Sequence, residues 1–120
     1  LTDTAGTPSK RFDLMHSINV RGTFLVVQHA LPYLKKSSHA HILTLSPPIN
    51  IAPKWLGPHV AYTISKYDMS MMTLGWAEEF KEDGIACNCA ELKEAMPAVV
   101  KLATCVALKL LISVVVRLAY

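Results

Sequence analysis

An α/β fold with a parallel sheet is what this chain predicts, and three observations carry the prediction. Two short apolar runs, "AHILTLS" at 40–46 and "IACNCA" at 85–90, read as strands. A helical stretch from about 60 to 82 separates them, which is long enough for a right-handed crossover between parallel strands. Both runs are apolar along nearly their whole length, so both faces of each strand expect cover. Two strands alone leave two open edges, and the pair therefore reads as part of a larger sheet.

The elements follow in order. Thr7-Pro8-Ser9 marks a helix start, with Pro early and Ser available to cap. "KRFDLMHSINVRGTFLVVQHALPYLKK" then carries helical spacing, for instance at Leu14, Ile18, Leu25 and His29. Gly22 marks a break between a shorter and a longer helix, and Pro32 falls in the last turns. After the first strand, prolines at 47, 48, 53 and 58 predict an irregular loop. The helix that follows stops near Asp83-Gly84, where glycine can take the left-handed conformation that ends helices. Met69, Met71 and Met72, with Trp76 and Phe80, read as its core face.

Residues 1–90 thus form one unit, and 91–120 change character. The apolar tail carries Lys101, Lys109 and Arg117 eight residues apart. On a helix an eight-residue step turns each cation by about 80°, so the charges make no polar stripe. Uncharged runs there reach only seven residues, well short of the roughly 18 that a membrane span needs. The tail reads as a buried or lipid-contacting helix, with a poorly folded extension as the alternative.

With 120 residues and 52% hydrophobic content the chain suits one domain with a sizeable core. A net charge of +3, with no basic block longer than two residues, argues against a nucleic-acid partner. Three cysteines cannot all pair within the chain, which fits a reducing, intracellular compartment. Residues 1–30 lack the pattern of a signal peptide, and Leu118-Ala119-Tyr120 is no peroxisomal address. Cys87 and Cys89 share a strand face at a spacing that can serve a metal, as can His39 and His41. Buried free thiols are the ordinary explanation, and no metal site is expected.

The chemistry centres on "AYTISKYDMSMM", 61–72. Tyr62 and Lys66 lie four apart, so on a helix they share a face, offset by about 40° and about 6 Å. A free tyrosine with a pKa near 10 is a poor base at neutral pH. A nearby ammonium favours the phenolate, and the pair could exchange a proton with an alcohol or ketone. The alternative is two residues on a helix rim. Tyr62 opens its helix just after the proline-rich loop, and Ser46 ends the strand before it.

"YTISK" (Tyr62, Lys66), "LTLSPP" (Ser46) and "INVRGTF" (Asn19) together resemble the short-chain dehydrogenase/reductase family, over residues 1 to about 90. The resemblance implies a Rossmann-type, doubly wound parallel sheet that binds NAD or NADP. It implies hydride transfer between that cofactor and a carbonyl or alcohol substrate. By the same resemblance Tyr62 is the general acid/base. Lys66 lowers its pKa and hydrogen-bonds the nicotinamide ribose, so that Tyr62 and Lys66 also contact the cofactor. Ser46 orients the substrate oxygen, and Asn19 holds a water in the proton relay.

The chain departs from the family in three places. Ser46 stands sixteen residues before Tyr62, a longer spacing than most members have, and Pro47 follows it. Ser46 therefore has a second reading, satisfying a backbone group at the strand end. Glycines at 6, 22, 57, 75 and 84 include no cluster that could form the phosphate-binding turn. The expected fold is accordingly a partial Rossmann-type sheet lacking the N-terminal nucleotide-binding half, inactive as this truncated chain. Finally, "CNCAELKEAMP" replaces the family's Pro-Gly turn, and the resemblance ends at Glu91.

In the family, the helix before the first of these strands and the Tyr-Lys helix pack across a dimer interface. Homo- or hetero-oligomerisation is thus implied, and a non-enzymatic interaction protein is the rival function. The resemblance also implies a peroxisomal or mitochondrial location.

Overall fold

The computed structural model describes residues 1–47, 49–90 and the backbone of 114–117. Pro8 precedes the first helix in an extended conformation (φ −61, ψ 143). Its carbonyl accepts the first intrahelical bond, from Phe12 N–H (3.1 Å), and also takes up the orphan N–H of Arg11 (2.9 Å). Helix α1, Ser9–His16, has no side-chain cap, so Ser9 is its first residue and not the cap that the sequence suggests. The rod continues through a π turn, Ser17–Gly22, into α2, Thr23–Leu34. The expected break at Gly22 is therefore a widened turn. A π turn adds a residue to the helical repeat and rephases the faces on either side of it. Pro32 lies near the end of α2, as expected.

Strands β1, His41–Leu45, and β2, Ala86–Ala90, pair in parallel, with His41 opposite Ala86 and Leu45 opposite Ala90. Between them runs α4, Val60–Glu79, the crossover helix. It ends in a turn where Gly84 takes φ 69 and Ile85 N–H donates to Phe80 O. The proline-rich segment is less irregular than predicted. It holds a short helix, α3, Pro53–Leu56, and a tight turn, Gly57–His59. Pro53 opens α3 at a position where its missing N–H costs nothing.

Val27 and Leu34 of α2, Ile42 of β1 and Trp76 of α4 form one buried cluster with Phe80 and Ile85. Both long helices therefore cover the same sheet face. Leu34 and Ile42 are fully buried, each worth about 1.5–3 kcal/mol of hydrophobic stabilisation. Cover on both faces, expected of both strands, fails for β2, where Ala86, Asn88 and Cys89 are exposed. Lys35 and Asp83, 2.7 Å apart, join the ends of α2 and α4 at the surface.

The helical reading of the tail is corrected at Val114–Arg117, which is a strand, β3. Three consecutive β-branched valines favour extended backbone, and β1 offers an unpaired edge. β3 pairs antiparallel with β1, giving the sheet order β2-β1-β3. The remainder of the tail reading lies outside the described residues. Among those described, no helix is long and apolar enough to cross a membrane.

Candidate active site

The carboxyl end of β1 and the first turns of α4 bring the predicted residues together. Tyr62 is half-buried in the first turn of α4. One turn on, Lys66 Nζ donates to the carbonyl of Leu45, the last residue of β1, at 3.2 Å. Burial lowers the pKa of Lys66, because removing water penalises its charged form.

Two further polar contacts continue this stripe along α4. Ser70 Oγ donates to Pro47 O (2.6 Å) and pairs with Ser46 Oγ at 3.0 Å, while Thr73 Oγ1 pairs with Thr44 Oγ1 at 2.8 Å. Lys66, Ser70 and Thr73 recur at helical spacing, so they share one face and meet successive residues of β1 and its exit. Ser46 is buried, and its hydroxyl is engaged by Ser70. Ser46 Oγ thus meets a side-chain hydroxyl of α4, in place of the backbone group weighed as its strand-end partner.

Asn19 comes from the π turn. Its Nδ2 donates to Ser65 Oγ at 3.0 Å, and Ser65 Oγ donates to Tyr62 O at 2.8 Å. Asn19 therefore reaches Tyr62 through Ser65 and the backbone, not through the phenol. Asn19 and Ser46 thus each meet a side chain of α4, the helix that carries Tyr62 and Lys66. Nearby, the buried hydroxyl of Thr23 has no hydrogen-bond partner among the described residues.

Sequence reasoning missed Ser65, Ser70 and Tyr67. Tyr67 OH donates to Asn50 O at 2.6 Å and accepts from Asn50 N–H, so it ties the proline-rich loop to α4. A signal existed for the serines: Ser65 lies inside "YTISK", and Ser70 stands four residues after Lys66. For Tyr67 there was none, since its partner is seventeen residues away in an irregular segment.

Cys87 and Cys89 depart from the buried-thiol reading. Cys87 is half-buried and Cys89 exposed. Burial, and then the neighbouring Cys89, push the Cys87 thiol pKa up. Among the described residues no three potential ligands gather for a metal ion. Met69, Trp76 and Phe80 are buried as expected of a core face, but Met71 points to solvent at 58% exposure.

Comparison with known proteins decides the family. A family model described as enoyl-(acyl carrier protein) reductase matches residues 2–93. The chain belongs to the short-chain dehydrogenase/reductase family. Human hydroxysteroid dehydrogenase-like protein 2 is 55% identical over 96 residues, which are 80% of this chain and 23% of that protein. The bovine protein of the same name is 58% identical over 88 residues, 73% of this chain and 21% of its own length. The chain therefore spans under a quarter of these curated relatives. A solved short-chain dehydrogenase from Mycobacterium thermoresistibile superposes with a TM-score of 0.72 at 48% identity. That match covers 76% of this chain and 32% of the other. This short-chain dehydrogenase/reductase chain thus has the predicted α/β class and parallel strand pair.

Proposed function

We propose that the chain carries the proton-transfer side of an NAD(P)-linked oxidoreductase acting on a carbonyl or alcohol. One observation carries this reading: Tyr62 and Lys66 stand on one face of α4, with Lys66 Nζ held on the last carbonyl of β1. In open α/β sheets, ligands bind outside the carboxyl ends of the strands. In this reading Tyr62 exchanges its phenolic proton with the substrate oxygen, and Lys66 favours the phenolate electrostatically. Lys66 would also hold the nicotinamide ribose, and Asn19 would hold a water at the end of the relay. Ser46 either orients the substrate oxygen or, as its bond from Ser70 favours, anchors the strand end.

NAD or NADP supplies the hydride when bound. Among the described residues, Tyr62 and Lys66 would hold its ribose end, and none makes a cradle for its pyrophosphate. Among the described glycines only Gly84 has a positive φ, and it lies at the opposite end of the sheet, before β2. A phosphate cradle needs backbone N–H groups at a strand-to-helix turn. On this reading the 120-residue chain does not turn over alone.

Calorimetric titration with NADH and NADPH tests this, with near-UV circular dichroism to establish packing. A folded chain that shows no saturable binding supports the incomplete cofactor site. Saturable binding would mean that the chain builds a complete one.

A second reading is favoured by exposed apolar side chains on the two long helical segments. Ile18, Phe24, Ile64 and Leu74 are all at least 45% exposed. The rival function is an interaction protein that docks a second copy or a related subunit through these faces. Sedimentation velocity across a concentration series tests it, with concentration-dependent assembly as the expected outcome. The peroxisomal or mitochondrial location is likewise proposed from family resemblance, and organelle fractionation tests it.

A further inference from the structure

Strand β3, Val114–Arg117, lies beyond residues 2–93, the part matched by the family model. It nevertheless takes one of the two edges of β1. Ala86 N–H donates to Ala40 O, so the backbone groups of Ala40, and by alternation those of Ile42 and Thr44, face β2. Those of His41 and Leu43 therefore face β3. The antiparallel register sets His41 opposite Arg117 and Leu43 opposite Val115, which makes these the hydrogen-bonded pairs.

A strand edge accepts one partner, and an open edge is a template for pairing with other chains. β1 is buried at Ile42, Thr44 and Leu45, the profile of an interior strand. Interior strands of doubly wound sheets have parallel neighbours on both sides. Here β2 is parallel and β3 is antiparallel. We propose that β3 is a self-complementing edge strand. By closing β1 with its own C-terminal segment, the chain excludes any other strand from that edge, whether from a second copy or from polypeptide preceding residue 1. A further parallel strand can join the sheet beside β1 only by displacing β3. This inference rests on the sheet topology and stands apart from the oxidoreductase reading.

Val115→Pro in the full chain removes the N–H that faces Leu43. Amide exchange at His41 and Leu43 is expected to accelerate on the order of tenfold, while Ile42 and Thr44 stay protected by β2. Sedimentation velocity is expected to show species larger than those of the unsubstituted chain at equal concentration. Unchanged exchange at His41 and Leu43 would overturn the edge closure, and faster exchange without larger species would overturn the exclusion. If the proline variant loses its near-UV signal, the unsubstituted chain decides by a Hα–Hα Overhauser contact between Ile42 and Val116. Observing that contact supports closure, and its absence overturns it.

Discussion

Asn19 and Ser65 meet across forty-six residues of sequence, and their 3.0 Å hydrogen bond is the side-chain link between the π turn and the turn that carries Tyr62. Each hydroxyl or amide removed should cost roughly 1 kcal/mol. In a double-mutant cycle, Asn19→Ala and Ser65→Ala should therefore be non-additive, with a coupling of at least about 0.5 kcal/mol by urea denaturation. Strict additivity would show that the two side chains do not cooperate. Lys66 makes a pH-dependent prediction. Its folded pKa lies below its ordinary value of 10.5, so the unfolded chain binds that proton more tightly. The destabilisation from its buried charge is present below the lowered pKa and fades as pH rises through it towards 10.5. The stability of the chain relative to Lys66→Met should accordingly increase with pH in the alkaline range. Urea midpoints for both proteins from neutral to alkaline pH check this, and a constant difference would contradict it.

At the scale of elements, α4 organises everything around it. Its Lys66–Ser70–Thr73 stripe grips β1 and the strand exit, while Tyr67 holds the proline-rich loop at Asn50. Tyr67→Phe keeps the ring and removes only the hydroxyl. Limited proteolysis should then cut the 46–58 loop faster, with the helical circular dichroism of the chain unchanged. An unaltered cleavage rate would mean that α3 holds the loop without Tyr67. The turn leaving α4 depends on Gly84 at φ 69, a conformation that strains any residue bearing a Cβ. Nothing lies within 4 Å of a Cβ built there, so the cost of Gly84→Ala is backbone strain alone. A loss of about 1 kcal/mol is expected in thermal or urea unfolding.

Across the whole molecule, both long helices cover one sheet face, leaving β2 partly bare and several helix side chains in solvent. Ile18→Glu and Leu74→Glu place charge on those exposed faces. If they dock against another subunit, either substitution should reduce the assembly seen by sedimentation velocity without lowering the unfolding midpoint. Assembly that survives both would move the interface elsewhere. Much of this organisation was legible in advance. The apolar runs at 40–46 and 85–90, the helix between them and the stop at Gly84 are local patterns, and each appears within a few residues of its predicted bounds. The π turn was not legible, because Gly22 signals only a weakness in a helix and not how the helix accommodates it. At Val114–Arg117 the helical reading misled because an apolar segment suits a helix or a strand, and an available strand edge decides between them there.

The sequence by itself determined the crossover topology and placed Tyr62 and Lys66 on one helix face, because four-residue spacing is a property of the helix alone. It also pointed to the family, through "YTISK" and Asn19, with Ser46 at the strand end but farther from Tyr62 than in most members. Only the tertiary structure decided that Lys66 reaches the Leu45 carbonyl, that Ser46 meets Ser70, and that Asn19 bonds to Ser65. Only the assembled sheet shows β3 closing the edge of β1. Those contacts join segments far apart in the chain, so they depend on which surfaces packing brings within hydrogen-bond reach, and no local spacing encodes that.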